Sequence, residues 1–191
     1  MTERPLFELI EGCRQGKEAA MKAFYERFHG YALSVCLAYT NSREDACEIL
    51  NDGFMKAFRQ LKELQNPDVL LPWLRRIMVN TAIDHYRKNL KHSRDVAVET
   101  LENSLVESNL NEEGILAQLS AEHILQQLQQ LPTTYRVVFG LYVLEGYSHR
   151  EIGEKLHLAE STSRAHLAEA NRLLRKALAT QNDNNYARNR K

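Results

Sequence analysis

The sequence predicts an all-α protein, two small helical domains joined by a flexible acidic linker. Three observations lead to that expectation. Apolar residues recur at steps of three and four in nearly every patterned segment, the template of a helix and not of a strand. Charge is gathered in blocks, basic from Pro72 to Arg94, acidic from Asp95 to Leu131 and basic again from Glu160 onward, within a chain whose formal net charge is zero. The stretch from Gly146 to Leu178 has the spacing of a short helix, a tight turn and a polar second helix.

At 191 residues, with 43% hydrophobic and 26% charged, the composition is that of a globular chain long enough for two compact cores. The divisions predicted are a helical domain over residues 1–94, a linker over 95–114, a second helical domain over 115–182 and a disordered tail over 183–191. No apolar run approaches membrane-spanning length, and the amino terminus lacks the apolar core of a signal peptide, so a cytosolic location and no membrane insertion are expected.

In the first domain Leu6, Leu9, Ile10 and Cys13 open a helical stripe, and Phe24, Phe28, Tyr31, Val35 and Leu37 continue it between Ala20 and Tyr39. Ser42 stands as the N-cap of a third helix, with Asp45 three positions on. That helix commits Ala46, Ile49, Leu50, Gly53, Phe54, Ala57, Phe58 and Leu61 to a core and leaves Asp45, Glu48, Asn51, Asp52, Lys56 and Arg59 opposite. Asn66-Pro67-Asp68 breaks the helix, and Pro72 fits the first turn of the next, where its missing N–H is not needed.

A helical wheel over the fourth helix puts Leu74, Met78, Val79, Ala82, Ile83, Tyr86 and Leu90 on one side. The other side gathers Arg76, Asn80, Asp84, Arg87, Lys88 and Lys91, with Trp73 and Ile77 near it. Cations neutralise phosphates, an amide can read base edges and an exposed aromatic can stack on an unpaired base. That mixture suits nucleic acid whose strands are being separated.

The linker carries acids and no Lys or Arg, so DNA should repel it, and it is expected to follow a basic channel or fold over the basic faces as partial autoinhibition. A helix over Ile115–Leu131 comes next, then one opened by Pro132, running through Val137, Val138, Phe139, Tyr142 and Val143 and closed by Gly146. Ser148 and Glu151 have the spacing of a capping box, Ile152 and Leu156 form a buried side, and Leu167, Ala170 and Leu174 point inward from the last helix. His157 occupies the turn position where a left-handed backbone is favoured. Ala159 at the last N-cap forgoes about 1 kcal/mol relative to Ser. Glu160, Ser161, Thr162, Arg164 and His166 fall outward or near the amino end of what the pattern predicts to be a recognition helix for the major groove.

Catalytic chemistry is not expected. The sequence shows no Gly-rich phosphate loop, nucleophile elbow, metal-spaced histidines or clustered carboxylates, so no catalytic residue, no metal and no cofactor is predicted. Cys13, Cys36 and Cys47 read as inert thiols, and His85, His92, His149, His157 and His166 as surface hydrogen-bonding groups.

Three stretches in order, SREDACEILNDGFMKAFRQL, PWLRRIMVNTAIDHYRKN and LPTTYRVVFGLYVLEGYSHREIGEKLHLAESTSRAHLAEANRLLRKAL, resemble the extracytoplasmic-function sigma factors of the sigma-70 family. The resemblance covers almost the whole chain. It implies a region 2 bundle and a region 4 helix-turn-helix, without an intervening region 3. It implies a non-enzymatic initiation subunit that binds core RNA polymerase, through the clamp helices of β′ and the β flap, and promoter DNA, with an anti-sigma factor as a further partner. Carried over by position, Asp45, Glu48, Asn51, Asp52 and Arg59 resemble the clamp-docking surface. Trp73, Arg76, Asn80, Thr81, Asp84, Arg87, Lys88 and Lys91 resemble the part that melts and reads the −10 element. Glu160, Ser161, Thr162, Arg164, Ala165, His166 and Arg172 resemble the −35 reader. Asn51 and Gly53 replace residues more often acidic and apolar, and Ser163 one that is usually apolar. The alternative to an initiation subunit is a stand-alone helix-turn-helix regulator of transcription, with a helical sensor or dimerisation domain.

Overall fold

A computed structural model describes residues 5–93 and 121–188, with side chains described for 5–90 and 125–178. The predicted linker over 95–114, and with it the autoinhibitory role, lies outside the described residues. So do residues 115–120 of the helix predicted to begin at Ile115. Every regular element among the described residues is helical, and the chain divides into two units, residues 1–88 and 89–191.

The first unit contains α1 (Leu6–Arg14), α2 (Glu18–Leu37), α3 (Arg43–Gln60) and most of α4 (Leu70–Ser93). Helix α2 packs against both α1 and α3. Phe24 is fully buried at the centre, its ring 4.7 Å from Phe28, 5.7 Å from Phe58 and 6.3 Å from Phe54, separations that suit tilted and edge-on aromatic packing. Ser42 caps α3 by accepting from the Asp45 amide at 3.0 Å. At the far end of α3, the Arg14 guanidinium donates to the carbonyls of Leu61, at 3.3 Å, and Leu64, tying α1 to the exit from α3.

Gly53 explains how α3 and α4 come close. A Cβ there would stand 2.3 Å from Met78 Sδ, so a side chain would force the helices apart or Met78 to move. The apolar side of α4 buries Leu74, Met78, Val79, Ala82, Ile83 and Tyr86 as the wheel predicts. Ile77 departs from it: it is 8% exposed, part of the core and not of the polar border.

The second unit contains α5 (Ala121–Gln130), α6 (Thr133–Phe139), α7 (His149–Leu156) and α8 (Glu160–Arg188). Helix α6 does not run on regularly to Val143. From Gly140 to Leu144 the turn widens to π geometry, and Tyr142, Val143 and Leu144 are about two-fifths exposed. The helix-turn-helix arises from local rules. The Ser148–Glu151 capping box is complete, His157 takes the left-handed backbone with φ 56° and ψ 45°, and the Leu158 amide bonds Gly153 O at 3.0 Å. Gly153 leaves no room for a side chain, since a Cβ would meet Leu158 O at 2.7 Å. The backbone of α8 is helical to Arg188, into the stretch from 183 onward that the sequence marks as a tail without order; residues 189–191 lie outside the described residues.

Among the described residues no helix is long and apolar enough to cross a membrane. Cys13 and Cys36 are buried, and loss of solvation pushes their thiols up to about 11 and about 12, consistent with inert packing.

Candidate nucleic-acid interface

Three helical faces concentrate the functional candidates. On α4 the apolar stripe turns its opposite side to solvent, where Arg76, Asp84 and Lys88 are exposed and Trp73, Asn80 and Arg87 are half-buried. Asp84 is not a lone acid among cations: its carboxylate meets Lys56 Nζ of α3 at 2.9 Å and Arg87 Nη1 at 3.9 Å. Its charge is thereby paired with cations of the same unit and repels an approaching phosphate less. Thr81 does not share this face. It is 3% exposed, and its hydroxyl donates to the Ile77 carbonyl at 2.8 Å, the turn before it, so it supports the helix from within. The Lys91 side chain lies outside the described residues.

On α3 the expected docking residues Glu48, Asn51, Asp52 and Arg59 are exposed and Asp45 is half-buried. Pattern reading missed Met55. It is 52% exposed between Asp52 and Arg59, an apolar side chain set among charges on a surface that otherwise contains polar groups. Its position outside the apolar stripe of α3 is the signal that was available.

The helix-turn-helix exposes Glu160, Ser161, Arg164, Ala165 and Arg172 on α8, with Thr162 half-buried. Two ion pairs organise these charges. Arg164 pairs with Glu160 one turn back, and Arg172 grips Glu169 through Nε at 2.8 Å and Nη2 at 2.6 Å. A guanidinium can satisfy two acceptors of guanine and a carboxylate can accept from cytosine, so both members of the first pair are suited to base edges once they exchange partners.

His166 differs from its expected outward pose. Its ring lies 5.2 Å from that of Tyr135, Nδ1 is buried without a partner, and burial lowers its pKa. The imidazole is drawn toward α6 because an amphipathic ring gains more from packing on an aromatic than from solvent. A second departure concerns His149. Its Nδ1 lies 3.0 Å from Ser163 Oγ, and its ring stacks on Tyr142 at 4.6 Å. Burial, and next to it the charge of Arg164, lower its pKa, leaving a neutral ring between the two helices of the motif. Ser163 is fully buried, and its hydroxyl is satisfied by His149, which joins α7 to α8.

Comparison with known proteins matches two separate stretches of the chain. Residues 24–92 match the family described as Sigma-70 region 2, and residues 121–174 match Sigma-70, region 4. The RNA polymerase sigma-H factor of Pseudomonas aeruginosa is 24% identical over 185 residues, covering 93% of this chain and 96% of that one. The ECF RNA polymerase sigma-E factor of Haemophilus influenzae is 24% identical over 173 residues, covering 87% and 91%. Among solved structures, the sigma factor RpoE in complex with the anti-sigma factor NepR from Bartonella quintana is similar at 18% identity and TM-score 0.46, over 83% of this chain and 98% of that one.

Proposed function

The chain belongs to the sigma-70 family as an extracytoplasmic-function RNA polymerase sigma factor, and from that premise we propose that it works through three surfaces. The polar side of α3, Asp45, Glu48, Asn51, Asp52 and Arg59, docks on the clamp helices of β′, with Met55 as an apolar anchor among the charges. The outer side of α4 melts and reads the −10 element: Arg76, Arg87 and Lys88 bind phosphates, Asn80 addresses a base edge and Trp73 stacks on a base leaving the duplex. The amino end of α8, Glu160, Ser161, Arg164 and Ala165, with Arg172 on the backbone, reads the −35 element. Thr81 and His166 support these faces and do not contact DNA directly.

The chain adds no bond chemistry of its own and acts in the cytoplasm, where polymerase and promoter are. A β-flap contact by the second unit and regulation by an anti-sigma factor complete the set of partners.

The single observation that carries this reading is the juxtaposition on α4 of solvent-facing cations, a half-buried tryptophan and an amide over a largely apolar inner side. A duplex-only phosphate binder has no use for the aromatic. Run-off transcription with core polymerase on a promoter library tests it. Initiation confined to templates sharing two spaced boxes is the expected result; transcripts independent of added protein, or tight operator binding without polymerase, would point to a different kind of regulator.

A further inference from the structure

Apart from its DNA-facing sides, the first unit brings metal-ligating side chains together across α3 and α4. Asp45 and Glu48, one turn apart on α3, converge with His85 of α4, and one ligand atom from each lies within 4.8 Å of the others. His85 Nε2 stands 3.7 Å from Glu48 Oε2; the imidazole is 15% exposed and the carboxylate 58%. Among the described residues this is the group of three that could hold a metal ion.

We propose that Asp45, Glu48 and His85 form a binding site for a divalent cation of the zinc, cobalt or nickel type. The donor set selects the class. An imidazole beside two carboxylates favours borderline metals, whereas magnesium prefers oxygen alone and keeps its water. Bonds of about 2.0–2.2 Å to a tetrahedral ion require donors roughly 3.5 Å apart. The half-buried imidazole stays in place, and the carboxylates of α3, with Glu48 well exposed, close the remaining distance by changing rotamer. Gly53 lets the two helices that carry the donors approach closely, since a Cβ there would stand 2.3 Å from Met78 Sδ. Three protein ligands leave a position open to water or to a group from a partner. The sequence offers no metal-like spacing because the donors come from two helices joined only by the fold.

The consequence, though not the site, rests on the docking role proposed for α3. A bound cation would neutralise Asp45 and Glu48 together and remove two acids from that surface. Metal excess would then weaken association with polymerase.

Titration calorimetry of the full chain with zinc chloride, and visible absorption with cobalt, test the site. One ion per chain is expected, with d–d bands for cobalt, no competition from magnesium, and about a tenfold or greater loss of affinity in H85Q. Circular dichroism checks that H85Q folds; should it fail, E48Q, at an exposed position, gives the same readout. Unchanged binding in both variants, or loss of binding only when the thiols are blocked, overturns the site. A separate arm measures binding to core polymerase. Zinc is expected to weaken the wild-type complex and to leave that of H85Q unaltered. If zinc binds as stated but the D45N/E48Q variant associates with polymerase normally, the docking assignment fails while the metal site stands.

Discussion

Arg136 holds the carboxyl end of α5. Its fully buried guanidinium donates to the carbonyls of Leu128 at 2.7 Å, Gln129 at 3.0 Å and Leu131, at the end of the helix where intrahelical donors run out; Leu128 O also accepts from the Leu131 amide at 3.1 Å. Burial pulls its pKa down to about 10, still well above neutrality. Arg136→Met keeps the volume and abandons those carbonyls, so the second unit should lose about 3 kcal/mol, read as an earlier transition in urea. An unchanged midpoint would mean that water replaces the arginine. The two histidines at this scale make a pH prediction. His149 and His166 both have pKa values lowered in the folded state by burial, so the unfolded chain binds more protons as pH falls. Their contribution is therefore intact above the unfolded value near 6.5 and is lost as pH drops below it toward the folded values. Thermal melting between pH 7.5 and 5 should show that decline, and H149N/H166F should flatten it. None of these three roles was legible in the sequence, because an arginine and two histidines at such positions look like surface residues until neighbouring helices bury them.

Helix ends, by contrast, were readable. Ser42, Pro72 and the Ser148–Glu151 box act within four residues, and so does the left-handed turn at His157. The turn leads to a prediction with an unusual sign. His157 takes φ 56° at a cost that glycine does not bear, so His157→Gly should stabilise the second unit by about 1 kcal/mol, and Ala159→Ser, which supplies the missing cap, by a similar amount. Denaturation midpoints of the single variants and the pair check both; a loss in H157G would show that the exposed imidazole has a contact outweighing the strain. Where elements were misjudged, the cause was non-local. Ile77 and Thr81 sit at the edge of the α4 wheel, where a small rotation decides between solvent and core, and in the fold both are buried. The π turn at Gly140–Leu144 rotates Tyr142 onto His149, which periodicity alone does not foresee.

For the molecule as a whole, the proposal gives each unit one modest face for DNA, and tethering the two to one polymerase would raise the effective concentration of the second once the first is engaged. Division of labour between the faces is then measurable. Trp73→Ala should lower run-off transcription from duplex promoters by about tenfold, while a template already opened at the −10 element should restore most of it. Equal loss on both templates would assign Trp73 to folding and not to melting. The sequence by itself determined the all-helical class, the caps, the core stripes and the two basic faces, because each depends on periodicity or on neighbours within one turn. Only the tertiary structure decided that Asp84 is engaged by Lys56, that Ser163 is bridged to His149, and that Asp45 and Glu48 meet His85. These pairings join different helices, and the distance between such residues is set by how the helices pack, a quantity that no local pattern encodes.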